Sequence, residues 1–161
     1  MIKKIFFNLI VTLFLISCAK EKVKKLDTTL KNPYEVYKEG LNAWEKNDFF
    51  FAHKKFAEAE LLFNDPNKSA KSAVMSSYSL YAINFYDEAL ENISNFLKLY
   101  PVDDHASYIH YLKAIIYYEQ IGDEKKDIEP LLKADEQINF FIKKYPNSEY
   151  AVDLKFKKGL I

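Results

Sequence analysis

Asn84-Phe85-Tyr86-Asp87-Glu88-Ala89-Leu90-Glu91-Asn92-Ile93-Ser94-Asn95-Phe96-Leu97-Lys98-Leu99-Tyr100-Pro101 is the stretch that decides the fold. Small Ala89, branched Ile93 and bulky Phe96 recur at spacings of four and three, which puts them on one face of an α-helix. Asp87 and Glu88 stand where that helix begins, and Pro101 stands where it must stop. Asn84 can take the left-handed conformation that closes a preceding helix, so the stretch reads as a turn followed by the second helix of a pair.

The pattern recurs on both sides. Asn47-Asp48-Phe49 precedes Ala52, Phe56 and Ala59, and the interval from Asn47 to Asn84 is 37 residues. A third copy carries Ala134, Ile138 and Phe141 and closes on Tyr145-Pro146, as the second closes on Tyr100-Pro101. Gly40 and Ala43 are small where a first helix has to approach its partner. The spacing resembles the tetratricopeptide repeat, an antiparallel helix pair of about 34 residues. That resemblance implies an all-α fold of tandem tetratricopeptide-like helix pairs forming a short right-handed solenoid over residues 33–161, with repeats at about 33–66, 70–102 and 106–147.

Two departures stand out. Asn64 occupies the place of the first copy's closing proline, with Pro66 close behind, and Gly122 to Glu129 inserts about eight residues between the helices of the third pair, a solvated loop by composition. After Tyr150, a further helix starts with Ala151, Leu154 and Phe156 before Ile161. Arrays of this kind finish on a polar-faced cap, so the unpaired apolar helix is read as a C-terminal truncation, with a covering partner as the alternative.

The N-terminus has a different character. Lys3 and Lys4 precede an apolar run from Ile5 to Ile16, broken only by Asn8 and Thr12 and too short to span a bilayer, so residues 1–17 read as a signal peptide. Leu15-Ile16-Ser17-Cys18 resembles the bacterial lipobox, and Cys18 is the chain's single cysteine. The resemblance implies that Cys18 becomes the acylated first residue, carrying N-palmitoyl and S-diacylglycerol groups. Ala19 follows where aspartate resembles an inner-membrane retention signal, which points to the outer membrane. Residues 18–32 form a lysine-rich flexible tether; a polybasic lipid-binding role for Lys20, Lys22, Lys24 and Lys25 is diluted by Glu21 and Asp27.

Composition narrows the function. The formal charge is zero and the sequence contains no arginine, so there is no basic face for nucleic acid and no bidentate phosphate grip. His53, His105 and His110 are scattered without i, i+4 pairing, which leaves no plausible zinc ligand set. Three glycines cannot build a phosphate loop or dinucleotide fingerprint, and Asp87-Glu88 and Asp103-Asp104 suit helix starts better than acid–base catalysis. The chain is therefore read as a non-enzyme without cofactor or metal.

What remains is aromatic. Repeat phasing directs Tyr34, Tyr37, Leu41 and Trp44, then Tyr78 and Tyr81, then Tyr108, Tyr111 and Tyr118, toward the inner surface of the array. Such a groove suits an extended peptide; the competing reading is that these rings pack between neighbouring helices.

Lipobox, tether and repeats, in this order, resemble the BamD family of outer-membrane β-barrel assembly lipoproteins. Pro33-Tyr34-Glu35-Val36-Tyr37, Leu99-Tyr100-Pro101 and Lys144-Tyr145-Pro146-Asn147-Ser148-Glu149-Tyr150-Ala151 carry the resemblance. It implies a non-catalytic scaffold at the periplasmic face, with BamA and other assembly-complex subunits as partners and unfolded outer-membrane proteins as clients. The resemblance further implies that the N-terminal repeats look like the substrate-facing part and that the C-terminal repeats dock on BamA. The alternative is a periplasmic tetratricopeptide lipoprotein adaptor for cell-wall enzymes.

Overall fold

The computed structural model describes residues 31–122 and 127–161. The signal peptide, Cys18, the tether up to residue 30 and residues 123–126 of the inserted loop lie outside the described residues.

Among the described residues the chain is all helix: α1 Pro33–Glu45, α2 Phe49–Leu62, α3 Pro66–Ala82, α4 Tyr86–Leu99, α5 Ala106–Glu119, α6 Glu129–Lys144 and α7 Tyr150–Lys158. Each packs mainly on its neighbours in sequence, and α3 also touches α5 while α5 touches α7. This is the contact pattern of tandem helix pairs, with α1, α3, α5 and α7 as first (A) helices and α2, α4 and α6 as second (B) helices.

The turns explain the register. Asn47 and Asn84 are left-handed, at φ 59° and 61°. Asp48 N donates to Ala43 O (2.9 Å) and Asn47 N to Trp44 O (3.0 Å); Phe85 N to Leu80 O (3.0 Å) and Asn84 N to Tyr81 O (2.9 Å) repeat the arrangement 37 residues on. Both A helices thus end in the same two-bond cap, and asparagine tolerates the required conformation. Asn32, Asp48 and Asp65 then cap the starts of α1, α2 and α3 by accepting from Tyr34 N, Phe51 N and Asn67 N. Pro66 is the first residue of α3, where its missing N–H is harmless. It opens the second pair, so that pair begins at residue 66 rather than near 70.

The B-helix stripes form the core. Ala52, Phe56 and Ala59, then Ala89, Ile93 and Phe96, then Ala134, Ile138 and Phe141 are all essentially inaccessible to solvent. Gly40 lies beneath the Phe56 ring, where an added Cβ would stand 2.8 Å from two ring carbons. Helix α3 is flanked on both sides and fills its faces with Ser69, Ser72, Ser76, Ser77 and Ser79, all buried. Ser72, Ser77 and Ser79 donate to the carbonyls of Lys68, Ala73 and Met75 one turn back, which satisfies their hydroxyls while keeping the helix slim.

Candidate functional site

The nine residues read as a groove do not behave as one set. Tyr34 is exposed, edge-to-face with Phe63 at 5.2 Å and with the Lys68 ammonium 5.2 Å from its ring. Tyr37 is half-buried against Phe56 (5.2 Å) and Phe63 (6.3 Å), and burial pushes its phenol above the usual range. Tyr34, Tyr37, Phe63, Lys68 and Lys71 line a shallow pocket of about 180 Å³ at the start of the array. Leu41, Trp44 and Tyr37 pack with Met75 of α3 against Ala43, Ala52 and Phe56.

From Trp44 onward the rings follow the A helices. Trp44 lies 6.1 Å from Tyr78, Tyr78 lies 5.9 Å from Tyr81, and Tyr81 lies 6.3 Å from Tyr86. In the next pair Tyr108 lies 6.3 Å from Tyr111, and Tyr111 stacks on Tyr150 at 4.6 Å and 21°. Burial, with the neighbouring phenols of Tyr78, Tyr150 and Tyr111, raises the Tyr108 pKa well above its ordinary value. Tyr118 stands apart from this row, with the Lys157 ammonium 5.0 Å from its ring.

Carboxylates tie the row together across repeats. Glu119, at the end of α5, accepts from Tyr81 Oη (2.7 Å) and Tyr86 Oη (3.1 Å), and Asp153 of α7 accepts from Tyr111 Oη (3.0 Å). Burial first, then the Asp153 carboxylate, pushes the Tyr111 phenol up to about 12. On the opposite side Glu60 of α2 accepts from Tyr100 Oη (3.1 Å). The half-buried tyrosines therefore do two jobs: their rings fill the joints between pairs, and several hydroxyls hold neighbouring pairs in register.

Sequence reasoning missed Tyr86, Tyr150, Glu119 and Asp153, because their partners lie 33 to 42 residues away. Tyr150 follows Tyr145-Pro146 at a fixed distance, and that alone could have flagged it.

The three histidines each have local employment. His53 Nδ1 lies 2.8 Å from Ser76 Oγ, which also accepts from Asn92 Nδ2 at 3.0 Å. His105 Nδ1 lies 2.7 Å from Asp103 Oδ1, which also accepts from the His105 backbone N–H, so Asp103 braces the start of α5. His110 packs between Phe140 (4.8 Å) and Tyr145 (5.8 Å), where burial, with Lys144 and Lys113 nearby, lowers its pKa to about 4. Asp87 and Glu88 sit in the first turn of α4. Among the described residues no three His, Cys, Asp or Glu side chains gather closely enough to hold a metal ion, and no helix is long and apolar enough to cross a membrane.

This array of helix pairs, entered at Lys31 and running to α7, is what the profile of the family described as "YfiO: Outer membrane lipoprotein" matches, over residues 30–159. The chain belongs to the YfiO family. Among its curated relatives, the outer membrane protein assembly factor BamD of Caulobacter vibrioides is 32% identical over 145 residues, covering 89% of this chain and 48% of the relative. The BamD of Rickettsia prowazekii is 28% identical over 126 residues, 78% of this chain and 50% of the relative. The BamD of Xylella fastidiosa is 23% identical over 159 residues, 91% and 54%. The chain thus spans about half the length of the curated relatives it matches. The described residues supply three helix pairs, the aromatic row and one further helix, α7.

Proposed function

We propose that this chain is a lipid-anchored, non-catalytic scaffold of outer-membrane β-barrel assembly, acting within the BAM complex at the periplasmic face of the outer membrane. Family membership across the helical array carries this reading, because the relatives are named as assembly factors. Cys18 is the anchor, bearing the acyl chains; each buried methylene of such a chain contributes about 0.8 kcal/mol, so several chains hold durably.

The working surface is the A-helix row around Trp44, Tyr78, Tyr108, Tyr111 and Tyr150. Its rings offer large apolar area at small entropic cost, which suits extended, aromatic-bearing segments of unfolded outer-membrane proteins. The mechanism is binding alone: helices hold the rings in place, and the client supplies the apolar groups that cover them. BamA is the partner on which such clients are passed.

Affinity purification of the full-length, lipidated chain from membranes tests this. Recovery of BamA with β-barrel precursors is the expected result. Recovery of cell-wall hydrolases without BamA would replace it with the adaptor reading.

A further inference from the structure

The joint between the first and second pairs and the joint between the second and third share one backbone plan. Phe63, Tyr100 and Tyr145 close the three B helices by donating N–H to the carbonyls of Ala59, Phe96 and Phe141, at 3.0, 2.8 and 2.8 Å. Ser69, Ser72 and Ser77 of α3 are buried as Ala106, Ile109 and Ala114 of α5 are. Helix α3 therefore corresponds to α5 at an interval of 37 residues, as α2 does to α4, and α4 corresponds to α6 at 45. In the first joint a carboxylate is built in: half-buried Glu60 accepts from Tyr100 Oη at 3.1 Å. Close by, Ser76 Oγ lies 2.8 Å from His53 Nδ1 and 3.0 Å from Asn92 Nδ2.

The second joint has lost that carboxylate and gained nitrogen. Leu97 stands in the place of Glu60, His110 in that of Ala73, Lys113 in that of Ser76 and Lys144 in that of Leu99, while Tyr145 keeps the place of Tyr100. His110 packs between Phe140 (4.8 Å) and Tyr145 (5.8 Å), and Lys144 Nζ stands 5.2 Å from both of those rings. Lys113 follows His110 by three positions, on the same face of α5. Burial, then Lys144 and Lys113, lower the His110 pKa with no carboxylate opposing them, whereas Glu88 opposes the shift at His53. Neither ammonium is paired with a carboxylate among the described residues. Lys144 is not needed to complement the end of α6, because Lys143 already holds the place that Lys98 has in the last turn of α4. His110 Nδ1 is buried without a partner, which leaves Nε2 as the nitrogen open to a ligand.

We propose that Lys113, Lys144 and the Tyr145 hydroxyl, gathered around His110, form a binding site for a carboxylate side chain of an acidic segment of a partner protein, seated where the first joint carries its own Glu60. The two ammonium groups supply the charge, and Tyr145 Oη and His110 Nε2 donate to the oxygens. Exposed Phe140 offers an apolar wall to the residue beside the carboxylate. A carboxylate is favoured over a phosphate because the equivalent position of the first joint holds one, and because the set contains no arginine for a bidentate grip. His110 lies two positions from Tyr108 and so on nearly the opposite side of α5. The site is therefore separate from the aromatic row, and both can be filled at once.

The test titrates the full-length chain, in micelles of an uncharged detergent at pH 7, with the end-blocked peptide Glu-Glu-Phe-Glu-Glu while the histidine ring signals are followed by NMR. Saturable movement of the His110 signals is expected, with those of His53 and His105 unmoved, and salt of about 0.5 M should reverse it. Lys113→Gln with Lys144→Gln should weaken binding about tenfold at unchanged melting. Should that pair of changes lower the melting temperature, Lys144→Gln alone, at an exposed position, is the comparison, and about a threefold loss is expected. No movement of His110, or affinity that survives the lysine changes, overturns the proposal. Equal binding of the peptide with glutamine in place of glutamate also overturns it, by making the contact apolar. Inorganic phosphate saturating the same signals at lower concentration than the peptide overturns it by making the site one for phosphate.

Discussion

Gly40 of α1 and Phe56 of α2 touch so closely that a methyl group on Gly40 would stand 2.8 Å from Cδ1 and Cε1 of the ring. Phe56 is completely buried and cannot swing away. Gly40→Ala should therefore destabilise the first pair, the overpacking cost of about 1–3 kcal/mol exceeding the helix-propensity gain of about 1 kcal/mol. Urea unfolding checks the sign; a raised midpoint would show that the two helices are farther apart than described.

Ala52→Leu and Ala89→Leu test the same logic on the B side. Both alanines are fully buried where helices meet. Each substitution should lower stability by about 1–3 kcal/mol. Unchanged melting for either variant would contradict the phasing of its stripe.

The aromatic row separates into residues of different duty. Tyr37→Leu should lower stability, since the ring packs on Phe56 and Phe63. Trp44→Leu with Tyr78→Leu should instead weaken capture of an aromatic-rich extended peptide about tenfold, near 1.4 kcal/mol, while circular dichroism stays the same. A large loss of helicity in the double variant would make both residues core.

His110 gives the array an acid sensitivity. Its folded pKa, about 4, lies below the unfolded value near 6.5. Between those values the unfolded chain binds more protons, so stability falls as pH drops from about 6.5 toward 4. His110→Phe, placed between Phe140 and Tyr145, should flatten that part of the profile. Thermal melts from pH 7 to pH 4.5 would show it, and a wild-type slope in the variant would assign the sensitivity elsewhere.

Cys18→Ala should leave an uncleaved or mislocalised precursor, visible as a shift on gels of membrane and soluble fractions. Normal acylation and membrane attachment of the variant would refute the lipobox reading.

The repeat was legible because its signals are local. Asn47 and Asn84 announce left-handed caps, and the alanine-to-phenylalanine stripes need only helical periodicity to be read. Helix α3 was less legible, since five buried serines look like a polar surface until helices on both sides are known. Its start was missed for a related reason: a proline after a polar turn serves equally as an ending or as a first helical residue. The placement of the aromatic rings was half legible. One-residue differences in phase decide whether a tyrosine lies on Phe56, as Tyr37 does, or along the row, as Tyr78 does. Bonds such as Tyr81 to Glu119 join residues 38 positions apart and leave no local trace.

Because every helix rests chiefly on its immediate neighbours in sequence, the array has low contact order. Folding can complete α1 on α2 first and then add each helix to a finished template. Folding of this stepwise kind keeps few apolar stripes bare at any moment.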